Sequence, residues 1–391
     1  MSHPLRYLRL IPLCATLLLL SGCGMFDWLK SKDEKALNPM KLASFTEEVR
    51  LRRQWSVSVG DGQGDKYNRL DPAIAGNSIY AAGNNGVVVA VNRDSGRTEW
   101  KQRLKNEIVT GGVGVGGGLV LLGTEKAKVI ALEADTGAIR WESSVSSEVL
   151  SAPATDGRTV VVQTVDGKLI GLDARNGQQR WIYESQVPAL SLRGTSAPII
   201  VQNSAIAALA TGTVIAVALD NGTLRWEERV AIPTGRSDID RMVDIDGNLA
   251  EVEGQILAPS YQGYFSAIDP TTGQTRWRVK ESSSNGASSG FGNVYIVSAG
   301  DIVKAYRPGQ DATTWTNDQL QRRRLSAPLG FSNYVAVGDS EGYVHLLSQS
   351  DGRFMGRVKV DGSGVRADML AFGSTLYVFG NSGTLAAYQV Q

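Results

Sequence analysis

The chain has 391 residues, 42% of them hydrophobic, with 40 basic and 39 acidic side chains, two histidines and two cysteines. A chain of this length can bury a large core without disulfides, and so even a balance of charge gives no electrostatic case for nucleic acid or for a strongly charged partner. Only one histidine, His345, lies beyond the N-terminal segment, and zinc centres need several His or Cys ligands.

The N-terminus carries Arg6 and Arg9, then an apolar run from Leu10 to Leu20 broken only by Pro12 and Thr16, then Ser21, Gly22 and Cys23. A charged start, a short apolar core and small residues at the cut describe a secretory signal peptide over residues 1–22. The apolar run is too short for a mature membrane span, which needs about 20 residues. Leu20, Ser21, Gly22 and Cys23 match the lipobox of bacterial lipoproteins, and that resemblance implies that Cys23 becomes the mature N-terminus and carries acyl chains such as palmitate. Two or more chains make a stable anchor. In the lipoprotein pattern an Asp after the cysteine favours inner-membrane retention. Gly24 stands there, so outer-membrane anchoring facing the periplasm is expected. The other cysteine, Cys14, lies in the removed segment and leaves the folded domain without a disulfide.

Residues 23–44 are of mixed charge with little apolar periodicity and read as a tether. Beyond them, tryptophans recur about every 40–50 residues, at Trp55, Trp100, Trp141, Trp181, Trp226, Trp277 and Trp315, a period that fits one four-stranded propeller blade. Most are preceded by one phrase: a turn glycine, a short apolar strand containing Ala, a polar residue, a second turn with Gly, then Trp four residues on. Ala131 through Gly137 to Trp141 and Ala267 through Gly273 to Trp277 are clear copies, and the copy from Ala305 through Gly309 to Trp315 is stretched by two residues. Each is a β-hairpin.

There are eight copies of the strand before the turn but only seven return strands after them. The segment around Trp55, which has no hairpin partner ahead of it, supplies the eighth. Residues 45–391 are therefore expected to be all-β: an eight-bladed propeller of four-stranded antiparallel blades, the last closed by the N-terminal strand, which leaves no open ring. In the seventh copy Gly356 occupies the Trp position, and Phe354 is expected to take over part of its packing. The tryptophans themselves are expected to fill the wedges between twisted sheets as core.

The phrase resembles the tryptophan-docking, or PQQ-like, repeat of quinoprotein propellers and covers nearly all of residues 55–391. That resemblance raises an alternative, a periplasmic quinone-dependent dehydrogenase, for which the quinoprotein pattern would demand quinone ligands, a calcium site, a catalytic Asp and commonly adjacent cysteines. Adjacent cysteines are missing, and the domain's single histidine, His345, sits inside a strand pattern as a structural residue. Gly111 to Gly118 lacks the Lys and Ser or Thr of a phosphate loop. The acidic group Asp238, Asp240, Asp244 and Asp246 lacks the spacing of a calcium-binding EF-hand. Neither a catalytic residue, a metal nor a cofactor is expected.

Insertions into a repeat scaffold map to loops on one face. Two consecutive inter-blade connections are long, Trp181 to Pro198 and Trp226 to Pro259, and neighbouring links of one kind form a single patch. The first carries Leu190, Leu192 and Arg193, and the second, within 231–256, carries Asp244 and Asp246. Apolar anchors beside complementary charges suit a protein interface. The string L-S-L-R-G followed by I-D-R and D-x-D resembles the BamB family of the outer-membrane β-barrel assembly (BAM) machinery. This resemblance implies a non-catalytic adaptor lipoprotein that binds the periplasmic (POTRA) domains of BamA through Leu190, Leu192, Arg193, Asp244 and Asp246 and aids insertion of outer-membrane proteins. Arg193 bonding to Asp244 or Asp246 within the monomer is the other reading of that pair. Contact with unfolded outer-membrane proteins, or another envelope partner in place of BamA, also stays open.

Overall fold

The structure, a computed structural model, describes residues 38–65, 69–186, 196–232, 243 and 245–391. Among them are thirty-two strands, from β1 (Leu51–Ser58) to β32 (Thr384–Val390), in eight four-stranded antiparallel sheets. Each sheet is one blade of an eight-bladed β-propeller, and in seven of them the four strands lie in chain order from the axis outward. Blade one runs from Ala73 to Arg103, two from Val109 to Ser144, three from Ala154 to Glu184 and four from Ile199 to Arg229. Blade five runs from Ala250 to Val279, six from Ser288 to Asn317 and seven from Leu329 to Lys359. The eighth has three strands from the C-terminus, and β1 lies outermost against β32, with Trp55 opposite Ala387 and Leu51 opposite Val390. The first and last strands thus close one blade, as the count of return strands requires.

The middle strands of each blade are the core. Ile79–Ala82 and Val87–Val91 are buried almost throughout, because both faces of a blade pack on neighbouring blades. Outer strands alternate instead, as in Leu224–Arg229, where only Trp226 is buried. Where inner strands crowd the axis a side chain has no room. A Cβ on Gly111 or Gly114 would run into the carbonyl oxygens of Ser151 or Pro153, just ahead of the next inner strand (Ala154–Thr155), which explains the glycine run there.

Blade joins on blade through one device used six times. The indole N–H of Trp55 donates to the Arg93 carbonyl at 3.1 Å, Trp100 to Ala134 at 2.7 Å, Trp141 to Ala174 at 2.9 Å and Trp181 to Leu219 at 2.8 Å. Trp226 reaches the Pro270 carbonyl at 3.0 Å and Trp315 that of Gln349 at 2.9 Å. In each case the acceptor lies in the last hairpin turn of the following blade, whose glycine lies flat under the indole. At Gly137, Gly177, Gly222 and Gly273 an added Cβ would come within 3.0 Å of the ring. Those glycines also have φ near +70°, so the turn needs glycine both for its backbone and for its neighbour.

Trp277 departs from this. Its N–H donates to Gln255 Oε1 in its own blade at 2.9 Å, and Gly309, in the turn of the next blade, has open space where an indole would lie. The two-residue stretch of that hairpin, visible in the sequence, has displaced the turn from its dock.

Blade seven departs differently. Gly356 stands opposite Leu346, the register position that Trp181 takes opposite Gly171, and the chain's own N-terminal segment fills the space. Val49 packs over Gly356, and Phe45 stacks on the buried Phe354 at 5.2 Å between centroids. Residues 40–44, which the sequence grouped with the tether, share this contact through Met40 and Ala43, whose carbonyls accept from Arg323 at 2.7 Å and Arg357 at 3.0 Å.

Candidate partner-binding face

Antiparallel blades sort their connections by face. Turns between the second and third strands of each blade emerge on the same face as the links from one blade to the next, and the remaining turns emerge on the opposite face. The two long links belong to the first of these faces. One leaves blade three after Glu184 and enters blade four at Ile199, and the other leaves blade four after Arg229 and enters blade five at Ala250.

Leu190, Leu192, Arg193 and Asp244 lie outside the described residues, as does Cys23. Asp246 is described, and it is half-buried. The described apolar residues beside it lie in the core. Val243 and Ile245 are buried, and Ile245 packs with Val214, Trp226, Val230 and Leu249. Ile245 is thereby held in the core beside Trp226.

The ends of the two links are joined. The Ala197 amide, at the end of the first, donates to Asn248 Oδ1, at the end of the second, at 3.0 Å. Asn248 then reaches across the axis, and its Nδ2 donates to Asp71 Oδ2 at 3.2 Å and to Asp368 Oδ2 at 2.9 Å. The Asp368 amide donates to Asp71 Oδ1 at 2.7 Å, and the Arg69 guanidinium lies 3.8 Å from Asp368. Burial, followed by the adjacent charge of Asp368, pushes the Asp71 carboxyl up to about 7, against the opposing pull of Arg69 and the two donors. Sequence reading missed this cross-axis tie. Asp71, Asn248 and Asp368 are far apart in the chain, and the only local sign was that Asp71 precedes a proline at the mouth of an inner strand.

His345 is the structural residue that its strand pattern suggested. Fully buried, it donates from Nε2 to Asp339 at 2.9 Å and accepts at Nδ1 from Arg357 Nε at 2.9 Å. Asp339 also accepts from Arg323 Nε at 2.7 Å, and Arg323 bonds Glu341 as well. Burial holds the imidazole below its ordinary pKa, outweighing Asp339, and it is neutral. Both ring nitrogens serve the cluster that clamps Met40 and Ala43. Among the described residues, no group of three or more His, Cys, Asp or Glu side chains is placed to hold a metal ion.

A closed eight-bladed ring whose tryptophans dock on the following blade defines the class: a propeller of PQQ-like repeats. Within that class, residues 84–317 match the family model for outer membrane protein assembly factor BamB. The protein of that name from Pseudomonas aeruginosa is 53% identical over 379 residues, covering 97% of this chain and 98% of its own. The Escherichia coli protein of the same name is 34% identical over 385 residues, covering 96% and 97%. The crystal structure of BamB from Moraxella catarrhalis superposes with a TM-score of 0.79 at 29% identity, covering 87% of this chain and all of that one. The chain belongs to the BamB family. Quinohemoprotein alcohol dehydrogenase from Comamonas testosteroni shares the fold, with a TM-score of 0.69, but only 14% identity. Family membership therefore favours an assembly factor over the dehydrogenase alternative.

Proposed function

We propose that this chain is a non-catalytic adaptor of the BAM complex, anchored in the outer membrane through acylated Cys23 and facing the periplasm. In this reading it holds the POTRA domains of BamA with the two consecutive long links and so aids folding and insertion of outer-membrane proteins. The name shared by its relatives supports the assembly role. The single observation that carries the contact surface is the Ala197–Asn248 hydrogen bond, which makes the ends of the two links one structural unit rather than two separate insertions. Leu190 and Leu192 supply the apolar anchor, and Arg193, Asp244 and Asp246 supply the charges that orient it.

The test is the affinity of the mature chain for the isolated POTRA domains, beside an Arg193→Glu variant whose circular dichroism is unchanged. Breaking a buried interfacial charge pair costs about 2–5 kcal/mol, so binding should weaken at least about 30-fold. An undiminished affinity removes Arg193 from the contact, and a parent chain that does not bind removes BamA as partner. Cys23→Ser tests the anchor separately and should release the protein from outer-membrane fractions.

A further inference from the structure

Not every outer strand of the ring is balanced in charge. On blades two, three and four the outermost strand carries basic and acidic side chains in equal number, as with Arg140 and Glu142 on blade two. Blades eight and one differ, and they adjoin, since Trp55 of the one docks on the Arg93 turn of the other. Their outermost strands are β1 and β5 (Thr98–Arg103). With the residues that flank β5, they present Arg52, Arg53, Arg97, Lys101, Arg103 and Lys105, all exposed. Among these stands a single acidic residue, Glu99.

Little offsets this basic wall from within. Among the described residues, none of its basic side chains makes a hydrogen bond or an ion pair. Glu99 Oε2 is turned to Ser78 Oγ, which donates to it at 2.6 Å. The carboxylates that flank the two strands are engaged elsewhere: Glu47 with Arg50 at 3.9 Å, Asp94 with Arg93 at 3.4 Å and Glu107 with Lys128 at 2.9 Å. Asp61 lies past the end of β1, in the link to blade one.

The wall also lacks an apolar anchor. None of the exposed large hydrophobic side chains among the described residues, from Met40 to Phe372, lies on β1 or β5. Protein partners are held chiefly by such anchors in desolvated pockets, and lysine is depleted at their interfaces. A convex basic wall fits instead a flat surface of diffuse negative charge, which needs no pocket and touches a ring along neighbouring blades.

We infer that this wall is a contact surface for the anionic headgroups of a phospholipid membrane. Each lysine or arginine close to such a surface strengthens binding about fivefold, and the attraction fades within a Debye length of about 10 Å at 0.1 M salt. The segment that leads from Cys23 is fastened along blade seven at Met40, Ala43 and Phe45 and then runs into β1. The wall therefore stands beside the point at which the chain enters the fold. The inference rests on the acylated Cys23 of the proposed function only for what brings the ring to a membrane, and its test removes the acyl chains.

The mature chain carrying Cys23→Ser is sedimented with vesicles of phosphatidylcholine alone and of equal parts phosphatidylcholine and phosphatidylglycerol. Binding to the mixed vesicles only, lost at high salt, is expected. Lys101→Glu and Arg103→Glu should each weaken it at least about tenfold. Lys280→Glu, the same charge change just past the outer strand of blade five on the far side of the ring, should leave it unchanged. All three side chains are exposed, so the variants should fold, and tryptophan fluorescence checks that. No binding to mixed vesicles overturns the inference, as does equal binding to phosphatidylcholine alone or binding that Lys101→Glu and Arg103→Glu leave intact. Displacement from mixed vesicles by poly-L-glutamate at an equal concentration of charge would mark a surface for acidic protein and overturn the lipid assignment. None of these results bears on the Arg193→Glu measurement or on the fractionation of Cys23→Ser, so the readings fail separately.

Discussion

The Trp277 indole bonds back to Gln255 Oε1 in its own blade at 2.9 Å, whereas the indoles of Trp226 and Trp315 bond forward to the next blade. One seam of the ring, between blades five and six, is thus joined without the lock used at six others. A narrow cleft of about 70 Å³ lies there, lined by Trp277, Phe291 and Pro308 among others. Phe291 is 67% exposed.

The missing lock predicts unequal costs for two glycines of equal backbone conformation. Gly273 has φ +75° and Gly309 has φ +77°, so alanine at either position meets the same left-handed penalty of about 1–2 kcal/mol. At Gly273 the new methyl also meets the Trp226 ring, 2.6 Å from Cδ2, whereas at Gly309 nothing lies within 4 Å. Gly273→Ala should therefore destabilise by about 1–3 kcal/mol more than Gly309→Ala. Urea denaturation followed by tryptophan fluorescence measures it, and equal midpoints would mean that the docked indole does not constrain the turn.

Blade seven gives a second prediction. Phe45 stacks on Phe354 and lies 4.9 Å from the Arg357 guanidinium, so Phe45→Ala removes both contacts of a half-buried ring. The loss should free residues 39–49 to proteolysis and hydrogen exchange before any change in the ring. Simultaneous loosening of β32 would show instead that the segment is needed to keep the ring closed.

The same cluster has a pH signature. The folded His345 pKa is depressed below the ordinary 6.5 by burial. A base that is harder to protonate when folded contributes stability above pH 6.5 that is lost as pH falls below it. The groups facing the ring are Asp339, Arg323, Arg357 and Tyr343, and a second proton would point at Arg357. Relative to a His345→Gln variant, the parent should lose stability from pH 6.5 downward in urea midpoints. A constant difference between the two would mean that His345 titrates at its ordinary value.

Much of this architecture was legible because the repeat is written in local chemistry: a turn glycine, a polar cap, and an indole four residues later. Blade number and ring closure followed from counting return strands around Trp55. Two things were not legible. The replacement for the missing tryptophan at Gly356 comes from Phe45 and Val49, some 300 residues away, and no local pattern marks them. The Asn248 tie to Asp71 and Asp368 depends on the ring's axis bringing three distant links together, which the repeat alone does not specify. The outer edge of the long links was readable as an insertion, but its inner support was not.

That support carries the last prediction. Asp71 has an ordinary pKa near 3.8, and in the fold it is pushed up to about 7. Between those values the folded chain holds a proton that the unfolded chain has released. Raising the pH through this window therefore destabilises the fold, and above about 7 the effect is complete. This slope is opposite in sign to that of His345, so comparison with single variants separates them. Asp71→Asn mimics the protonated carboxyl and keeps an oxygen for the Asp368 amide. The parent should lose stability relative to this variant between about pH 4 and pH 7, and hydrogen exchange at Asn248 and Ala197 should rise over the same interval. A difference that does not change with pH would mean that Asp71 is ionised throughout and that Asn248 is held by two full carboxylate charges.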